Sequence, residues 1–244
     1  MSANARIIKN AIVYVDDYDM SGDENEVNLL VTSDAKESTV MDNTAHVFKP
    51  GLTALELALL GFNSYGEGQL DEKAWSLRGT ELVPVSVIPE GATQGNRAWI
   101  LRSTQMGYDP RIIVGELPTF RLLIKSNASP LVGGLLQLPA TVVSSFPYTQ
   151  TGYQAGAITA DQHGYANLHV LSITGSGTLT VKLQSSTTQG GSYTDRITFT
   201  NLTAAGSEWK SVAGAITDTW WRVYASQTGS ITQAVLVVTF GIQT

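Results

Sequence analysis

The chain of 244 residues contains no cysteine. Disulfides, Cys-ligated zinc, iron–sulfur clusters and thiol nucleophiles are therefore all excluded. Long apolar runs are missing too. The strongest, "AIVYV" and "LALLGF", are far too short to cross a bilayer. The opening "MSANARIIKNAIVYVDD" has no apolar run leading to a small-residue cleavage site, because its run ends in two aspartates. Synthesis in the cytoplasm, with no membrane association, is the expectation. Bases are scarce, with 15 Lys and Arg against 21 Asp and Glu, a net charge of −6. No basic cluster offers nucleic acid or an anionic membrane a binding surface. The sequons at Asn127 and Asn201 are chance matches in a chain with no export signal.

Catalytic signatures are equally thin. Neither G-x-G-x-x-G nor G-x-x-x-x-G-K-[ST] occurs, so nucleotide binding has no support. The three histidines, His46, His163 and His169, do not fall in a metal-ligand spacing. Asp161, His163 and His169 could meet in space, but His169 between Leu168 and Val170 reads more simply as a strand residue. His46 with Asp42 and Ser38 imitates a triad, yet no G-x-S-x-G elbow surrounds a serine. Acids are plentiful enough for a glycosidase pair, and no particular pair stands out. Trp220 and Trp221 are adjacent on a strand pattern, so one faces inward and the other outward. The outward ring could stack on a sugar, though packing is the commoner use. No enzyme, no cofactor and no metal site is expected.

What is present is acid and strand. "VYVDDYDMSGDENEV" (13–27) concentrates Asp16, Asp17, Asp19, Asp23, Glu24 and Glu26. Asp17 to Gly22 reads D-x-D-x-S-G, the first half of an EF-hand loop, but the twelfth position is Asn28 rather than a bidentate Glu. No helix pattern flanks it, and a solvated acidic hairpin is the simpler reading. Residues 1–140 carry 17 acids and 11 bases, whereas 141–244 carry four of each amid Thr, Ser, Gly and Gln. That break predicts an acidic domain over 1–140, a linker at 141–152 and a second domain over 153–244.

Strand signals dominate both parts. "NAIVYVDD", "EVNLLVTS", "LVPVSVIPEG", "NRAWILRSTQMGY" and "RIIVGELPTFRLLIKSNA" are β-branched or aromatic runs bounded by turn residues. "LTALELALLGF" also fits a helix, but Leu55, Leu57 and Leu59 at period two favour a strand. "LDEKAWSLRGT" (70–80) is the one good helix, with Asp71 and Glu72 at its N-terminal end and Gly79 as a stop. From 165 onward, strands of five to eight residues separated by Gly- or Thr/Ser-rich turns predict an antiparallel β-sandwich or jelly-roll. The fold class is all-β with one short helix.

The stretches "VYVDDYDMSGDENEV", "PGLTALELALLGF" and "LVPVSVIPEGATQGNRAWILRSTQMGYDPRIIVGELPTFRLLIKS" together resemble tail tube (major tail) proteins of long-tailed bacteriophages. In that family a short strand, an acidic or Gly turn, a Y-D-hydrophobic-S-G element and a strand leading from P-G-L recur. The turn there usually carries Gly where this chain has Asp17. The run from Tyr165 to Gly241 is similar to the β-domain that trails many of these proteins, in the manner of a jelly-roll or Ig-like sandwich. The resemblance implies a tail-tube-like β-sandwich or barrel-forming N-terminal domain. It also implies a virion structural subunit that closes into hexameric rings stacked as a tube. Its partners would be itself, other tail proteins, and genomic DNA passing unbound through an acidic lumen. The polar stretch 33–49 reads as an arm that reaches a neighbour. Other readings are a capsid decoration or baseplate protein, and a carbohydrate- or receptor-binding module.

Overall fold

In the computed structural model the described residues are 11–40, 45–127, 131–137 and 142–243. Among these residues fifteen strands and one helix follow each other. The first seven strands are β1 (Ile12–Val15), β2 (Tyr18–Asp19), β3 (Glu24–Glu37), β4 (Phe48–Phe62), β5 (Val83–Ile88), β6 (Arg97–Arg111) and β7 (Thr119–Ser126), with α1 (Leu70–Ser76) between β4 and β5. Then come β8 (Leu131–Gln137), β9 (Val142–Val143), β10 (Tyr148–Thr149), β11 (Tyr153–Gln154), β12 (His163–Ser186), β13 (Thr194–Thr198), β14 (Gly206–Ala213) and β15 (Trp220–Gln243). The chain is all-β with one short helix, and its pairings are antiparallel apart from an isolated bridge at Arg78 and Gln105. "LTALELALLGF" is strand, as its period-two leucines require. The helix ends at Ser76, shorter than the 70–80 pattern.

Two compact units result. Unit 1 gathers the residues up to Gly22, Leu82–Arg102 and everything from Leu131 on; unit 2 is Asp23–Glu81 with Ser103–Pro130. Charge divides the chain by composition at about residue 140, while packing divides it by threading β1, β2 and β5 in with the C-terminal strands. The 141–152 stretch is not slack. It supplies β9 and β10 to the edge of β15, and it buries Val143 and Gln150.

Unit 1 is built on β12 and β15, each 24 residues long and paired from His163↔Gln243 to Ser186↔Trp220. These strands cannot be straight. β14 ends with Ala213 opposite His163, and β15 begins with Trp220 opposite Ser186. The link Gly214–Thr219 spans at most about 25 Å, whereas β12 drawn out would separate its own ends by roughly 75 Å. Both strands therefore fold over on themselves. The corner falls at "TGSGT" and "QTGS", where Gly175, Gly177 and Gly229 have φ of 105°, 159° and 94°. A Cβ on Gly229 would lie 2.8 Å from the Cα of Gly177, so the two chains touch backbone to backbone there. The glycine-rich segments expected as turns between short strands are corners inside two long ones.

The folded-over pair makes a sandwich. One layer is β14, the first part of β12, the last part of β15, and β8; the other is β13, the rest of β12, the start of β15, and β10 with β11. Leu168, Val170, Val181, Leu183, Val223, Leu236 and Val238 fill the space between them. Alternation sends Val237 to the other face of the first layer, where it packs with Tyr14, Ile88, Ile100 and Leu135. That layer is buried on both sides, which is why "AVLVVTFG" is apolar at successive positions.

Candidate assembly surface

Unit 2 holds a four-stranded sheet in the order β3–β4–β7–β6. Register and the two-residue period place Leu57, Leu59, Leu122, Ile124, Gln105 and Tyr108 on one face. α1 lies on that face. Gln105 Nε2 donates to the Ala74 carbonyl at 2.5 Å, and the Tyr108 hydroxyl donates to Asp71 at 2.5 Å while accepting from Asn63 at 2.7 Å. Burial and the Asp71 carboxylate push the Tyr108 phenol up from its ordinary pKa. Leu70 and Ala74 close the face to water.

The opposite face has no such cover. It presents Glu26, Asn28 and Leu30 from β3, Glu56, Ala58 and Leu60 from β4, Arg121, Leu123 and Lys125 from β7, and Asp109 from β6. Charges of opposite sign sit side by side there. Lys125 Nζ is 2.6 Å from Glu56, and Arg121 is directly across from Asp109.

Two features of unit 2 break the rule that apolar side chains are covered. The first is the ribbon formed by β3 and β4 beyond Leu55. β7 stops pairing with β4 at Glu56, so among the described residues the remaining stretch out to Glu37 and Phe48 pairs only with itself. Val31, Phe48 and Leu52 are exposed on it, Leu52 at 82%. An isolated two-stranded ribbon is marginal in water. Near its end the His46 ring meets Glu37 at 2.5 Å, and that bond with Thr39 lowers the Glu37 pKa. Along its whole length β3 is paired on one side alone, by β4, among the described residues. The expected arm at 33–49 is the end of this ribbon, with residues 41–44 outside the described set.

The second feature is the connection between β6 and β7. "RIIVGELP" was expected to extend a strand, but residues 112–118 form a loop. Ile112, Val114 and Leu117 are exposed, Val114 completely. Pro118 and the φ of 89° at Gly115 break the strand pattern that the β-branched run suggests. Loops are ordinarily polar because they face water. Sequence reasoning missed these residues because an exposed Ile-Ile-Val reads the same as a buried one.

The acidic segment does not converge. Asp16 and Asp17 form the two-residue turn between β1 and β2, with φ positive (57°) at Asp16 rather than Asp17. The Asp19 carboxylate accepts the Ser21 amide at 3.0 Å and its hydroxyl at 2.5 Å. These residues belong to unit 1, whereas Asp23, Glu24 and Glu26 belong to unit 2. Among the described residues no three His, Asp or Glu side chains gather as metal ligands.

The histidines are spent elsewhere. His163 stacks on Tyr165 with ring centroids 5.9 Å apart. His169 is fully buried six residues further along the same strand, roughly 20 Å away by strand rise. Its Nδ1 is 2.5 Å from the Asp16 carbonyl, which can only accept, so Nδ1 carries the proton. Nε2 then accepts from Ser86 Oγ at 2.9 Å, and Ser86 in turn accepts from Thr239 at 2.9 Å. Burial holds the His169 pKa down to about 4, against the pull of the Asp16 carbonyl and the nearby aspartates. Asn167 Nδ2 donates to the Val85 and Leu101 carbonyls at 2.9 and 3.2 Å. A serine–histidine pair in this position is sealed from any substrate, and its role is to satisfy polar groups inside the core. The Ser38 hydroxyl turns to the Val47 carbonyl rather than to His46, and Asp42 lies outside the described residues.

Trp221 is the inward ring, fully buried, donating from Nε1 to the Gly156 carbonyl at 2.8 Å. Trp220 is the outward one. Its polar neighbours bond one another: Lys182 and Gln184 both donate to Asp195 at 2.6 Å, and Arg222 Nε donates to Gln184 at 2.9 Å.

No protein-family model matches the chain, and no curated protein matches it. Several solved structures are similar in fold. One is a chain of the virion of the native gene transfer agent particle, at 11% identity and a TM-score of 0.43, over 52% of this chain and 97% of that one. Another is the SPP1 Dit (gp 19.1) protein, described as a paradigm of the hub adsorption apparatus in phages infecting Gram-positive bacteria. It is 12% identical with a TM-score of 0.38, over 97% of this chain and 100% of that one. A third is a chain of the anti-feeding prophage baseplate, at 11% identity and a TM-score of 0.41, over 54% of this chain and 97% of that one. At such identities and TM-scores these likenesses carry no part of the functional argument.

Proposed function

We propose that the chain is a non-enzymatic structural subunit of a phage tail, and specifically of the tail tube. Its work is to join copies of itself into rings. The observation that carries this reading is the sheet of unit 2, which among the described residues ends in an open edge strand and a ribbon whose apolar side chains face water. An open edge is a hazard on a solitary protein and a joint on a subunit. The order β3–β4–β7–β6 offers the edge of β3 at one side, while at the other side β6 is already met at Gln105 by Arg78 and Gly79, so a strand of a neighbour would continue the sheet beside β3. A repeated contact between unlike surfaces closes into a ring when the rotation allows. The tail-tube resemblance of 13–27, 50–62 and 82–126 supports the same conclusion, because those segments supply β2, β5, β6 and β7, most of β1 and β4, and the first four residues of β3.

The face without the helix would then line the channel. An acidic lumen was expected without any assignment of its carboxylates, and of the six acids at 16–26 Glu26 takes a register position on that face. With Glu26, Glu56 and Asp109 against Arg111, Arg121 and Lys125, the wall carries no net positive charge. DNA passing through would find no cationic track from which to release counterions, so nothing holds it in place.

Negative-stain electron microscopy of the purified full chain, concentrated at moderate salt, tests the reading. Rings or hollow tubes with a central channel are expected. Single rings that never stack would point to a hub or baseplate ring instead. A monomer under every condition would overturn self-assembly, and saccharide titration followed by tryptophan fluorescence would then test Trp220 as a sugar contact.

A further inference from the structure

Unit 1 has an unfilled strand edge, and a cleft opens beside it. β14 pairs with β12 from Gly206↔Val170 to Ala213↔His163, and among the described residues no strand pairs with its other side. Natural edges are commonly guarded by a projecting lysine or another charge. Both charges of β14 are tied across the sandwich instead. Register turns Glu208 and Lys210 to the face of Leu168 and Ala166. Glu208 accepts the Thr200 amide at 2.6 Å and its hydroxyl at 2.9 Å. Lys210 Nζ donates to the Thr198 carbonyl at 2.8 Å and lies 3.2 Å from Glu208.

The other face of β14 carries Ser207 and Trp209. With Leu82, Pro84, Arg102 and Glu208 they line an open cleft of about 410 Å³. Three of its features stand apart from ordinary surface. Leu82 has a left-handed backbone, with φ of 65°, and its apolar side chain is exposed at the rim. The Arg102 guanidinium lies over the Trp209 ring, 4.9 Å from its centroid, and the Tyr165 ring packs 5.6 Å away. The Trp209 Nε1–H is buried and meets no acceptor among the described residues, an exception to the rule that buried donors are paired. Ser207, by contrast, is already used, donating to Asp16.

We propose that β14 takes an extended peptide segment of another protein as an added strand, with an acidic side chain of that segment seated in the cleft beside Arg102 and Trp209. Strand addition gives the free side of β14 main-chain partners, and every second side chain of the added strand points to the face that holds the cleft. Charge selects the occupant. The Glu208 carboxylate is answered within the chain by Thr200 and Lys210, so the cleft wall takes its sign from Arg102. A carboxylate suits a guanidinium fork and brings an acceptor to the side of the unmet indole donor. Leu82 and Pro84 offer apolar contact to its methylene stem. A lysine there would meet Arg102 with like charge. β14 of a second copy is a poor occupant, because in a two-fold pairing its Ser207, Trp209 and Ser211 would face the cleft side and none is acidic. The proposal concerns unit 1 alone and stands whether or not the chain forms rings.

The test titrates the full-length chain into fluorescein-labelled peptides of alternating threonine and valine, with Glu, Gln or Lys at the central position of the threonine face. Anisotropy should show the Glu peptide binding at least tenfold more tightly than the Gln or Lys peptide. Arg102→Met, checked for native circular dichroism, should erase the preference for Glu over Gln. N-methylation at alternate residues of the Glu peptide should abolish binding in one register and spare it in the other, because only one set of amides faces β14. Equal binding of the Glu and Lys peptides would overturn the proposal, as would full binding by both N-methylated forms or no binding by any peptide. Efficient disulfide cross-linking of S211C to itself would give the edge to a second copy and overturn it as well.

Discussion

Trp221 and Phe240 belong to the same strand, nineteen positions apart, yet their rings touch with centroids 4.5 Å from each other. They meet because β15 folds over at Gly229 and brings its start against its end across the sandwich core. The pair acts as a clasp between the two layers. Phe240→Ala should destabilise unit 1 by about 3–5 kcal/mol, through lost apolar burial and the cavity left behind. Phe240→Leu should cost under ~1.5 kcal/mol. Urea unfolding followed by tryptophan fluorescence measures both, and equal costs would show that ring contact is not what the site requires.

The corner itself can be tested apart from the core. Gly229→Ala places a methyl group against the Gly177 backbone and demands a positive φ, so a loss of about 1–3 kcal/mol is expected. Gly190→Ala, in an open loop where a Cβ meets nothing, should change stability by less than about 0.5 kcal/mol. Thermal melting of the two variants side by side makes the comparison.

His169 predicts a pH dependence of definite sign. Its folded pKa is about 4 against an ordinary 6.5, so below 6.5 the unfolded chain takes up a proton that the folded chain refuses. Stability should be full above pH 6.5 and fall by up to about 1.4 kcal/mol per pH unit down to about pH 4. Carboxylates whose pKa is lowered, such as Asp195 and Asp218, act at lower pH, through their own folded values. His169→Gln should flatten the stability curve between pH 6.5 and 4.5, whatever its offset at pH 7. Urea midpoints at four pH values would show it, and an unchanged slope would refute the assignment.

Asp16 combines a left-handed backbone with a side chain that accepts the Ser207 hydroxyl. Asp16→Ala loses the bond and keeps the strain, at about 1–3 kcal/mol. Asp16→Gly loses the bond and relieves the strain, so it should be the milder change. If Gly is the worse of the two in thermal unfolding, the backbone at Asp16 is not strained.

Much of the fold was legible because side-chain period is a local property. Leu179, Val181 and Leu183 alternate, and so do Leu55, Leu57 and Leu59, and each set is strand with one face buried. Trp220 and Trp221 divide between outside and inside as adjacency on a strand demands. The course of the chain was not legible. Gly175, Gly177 and Gly229 could equally serve turns or corners, since both need the same backbone freedom. What distinguishes them is a partner strand more than forty residues away, and no local pattern encodes that. Burial of His169 was hidden for a related reason, because its partners Ser86 and Asp16 come from a distant strand and a distant turn. The assembly surface was half legible. The polar character of 33–49 pointed to an arm, but the apolar loop after β6 looked like one more strand.

The folded-over strands also set how the molecule comes into being. No part of β12 can complete its pairing with β15 until the 33 residues between them, Thr187 to Thr219, have been synthesised and brought into place. Such non-local pairing puts a domain among slow folders, with times of milliseconds to seconds, because loop closure must precede any reward. Throughout that interval the edges of β12 and β15 stand open, and newly made chains at high concentration would be exposed to mispairing with one another. A chain with this topology thus meets its narrowest passage before its sandwich has closed.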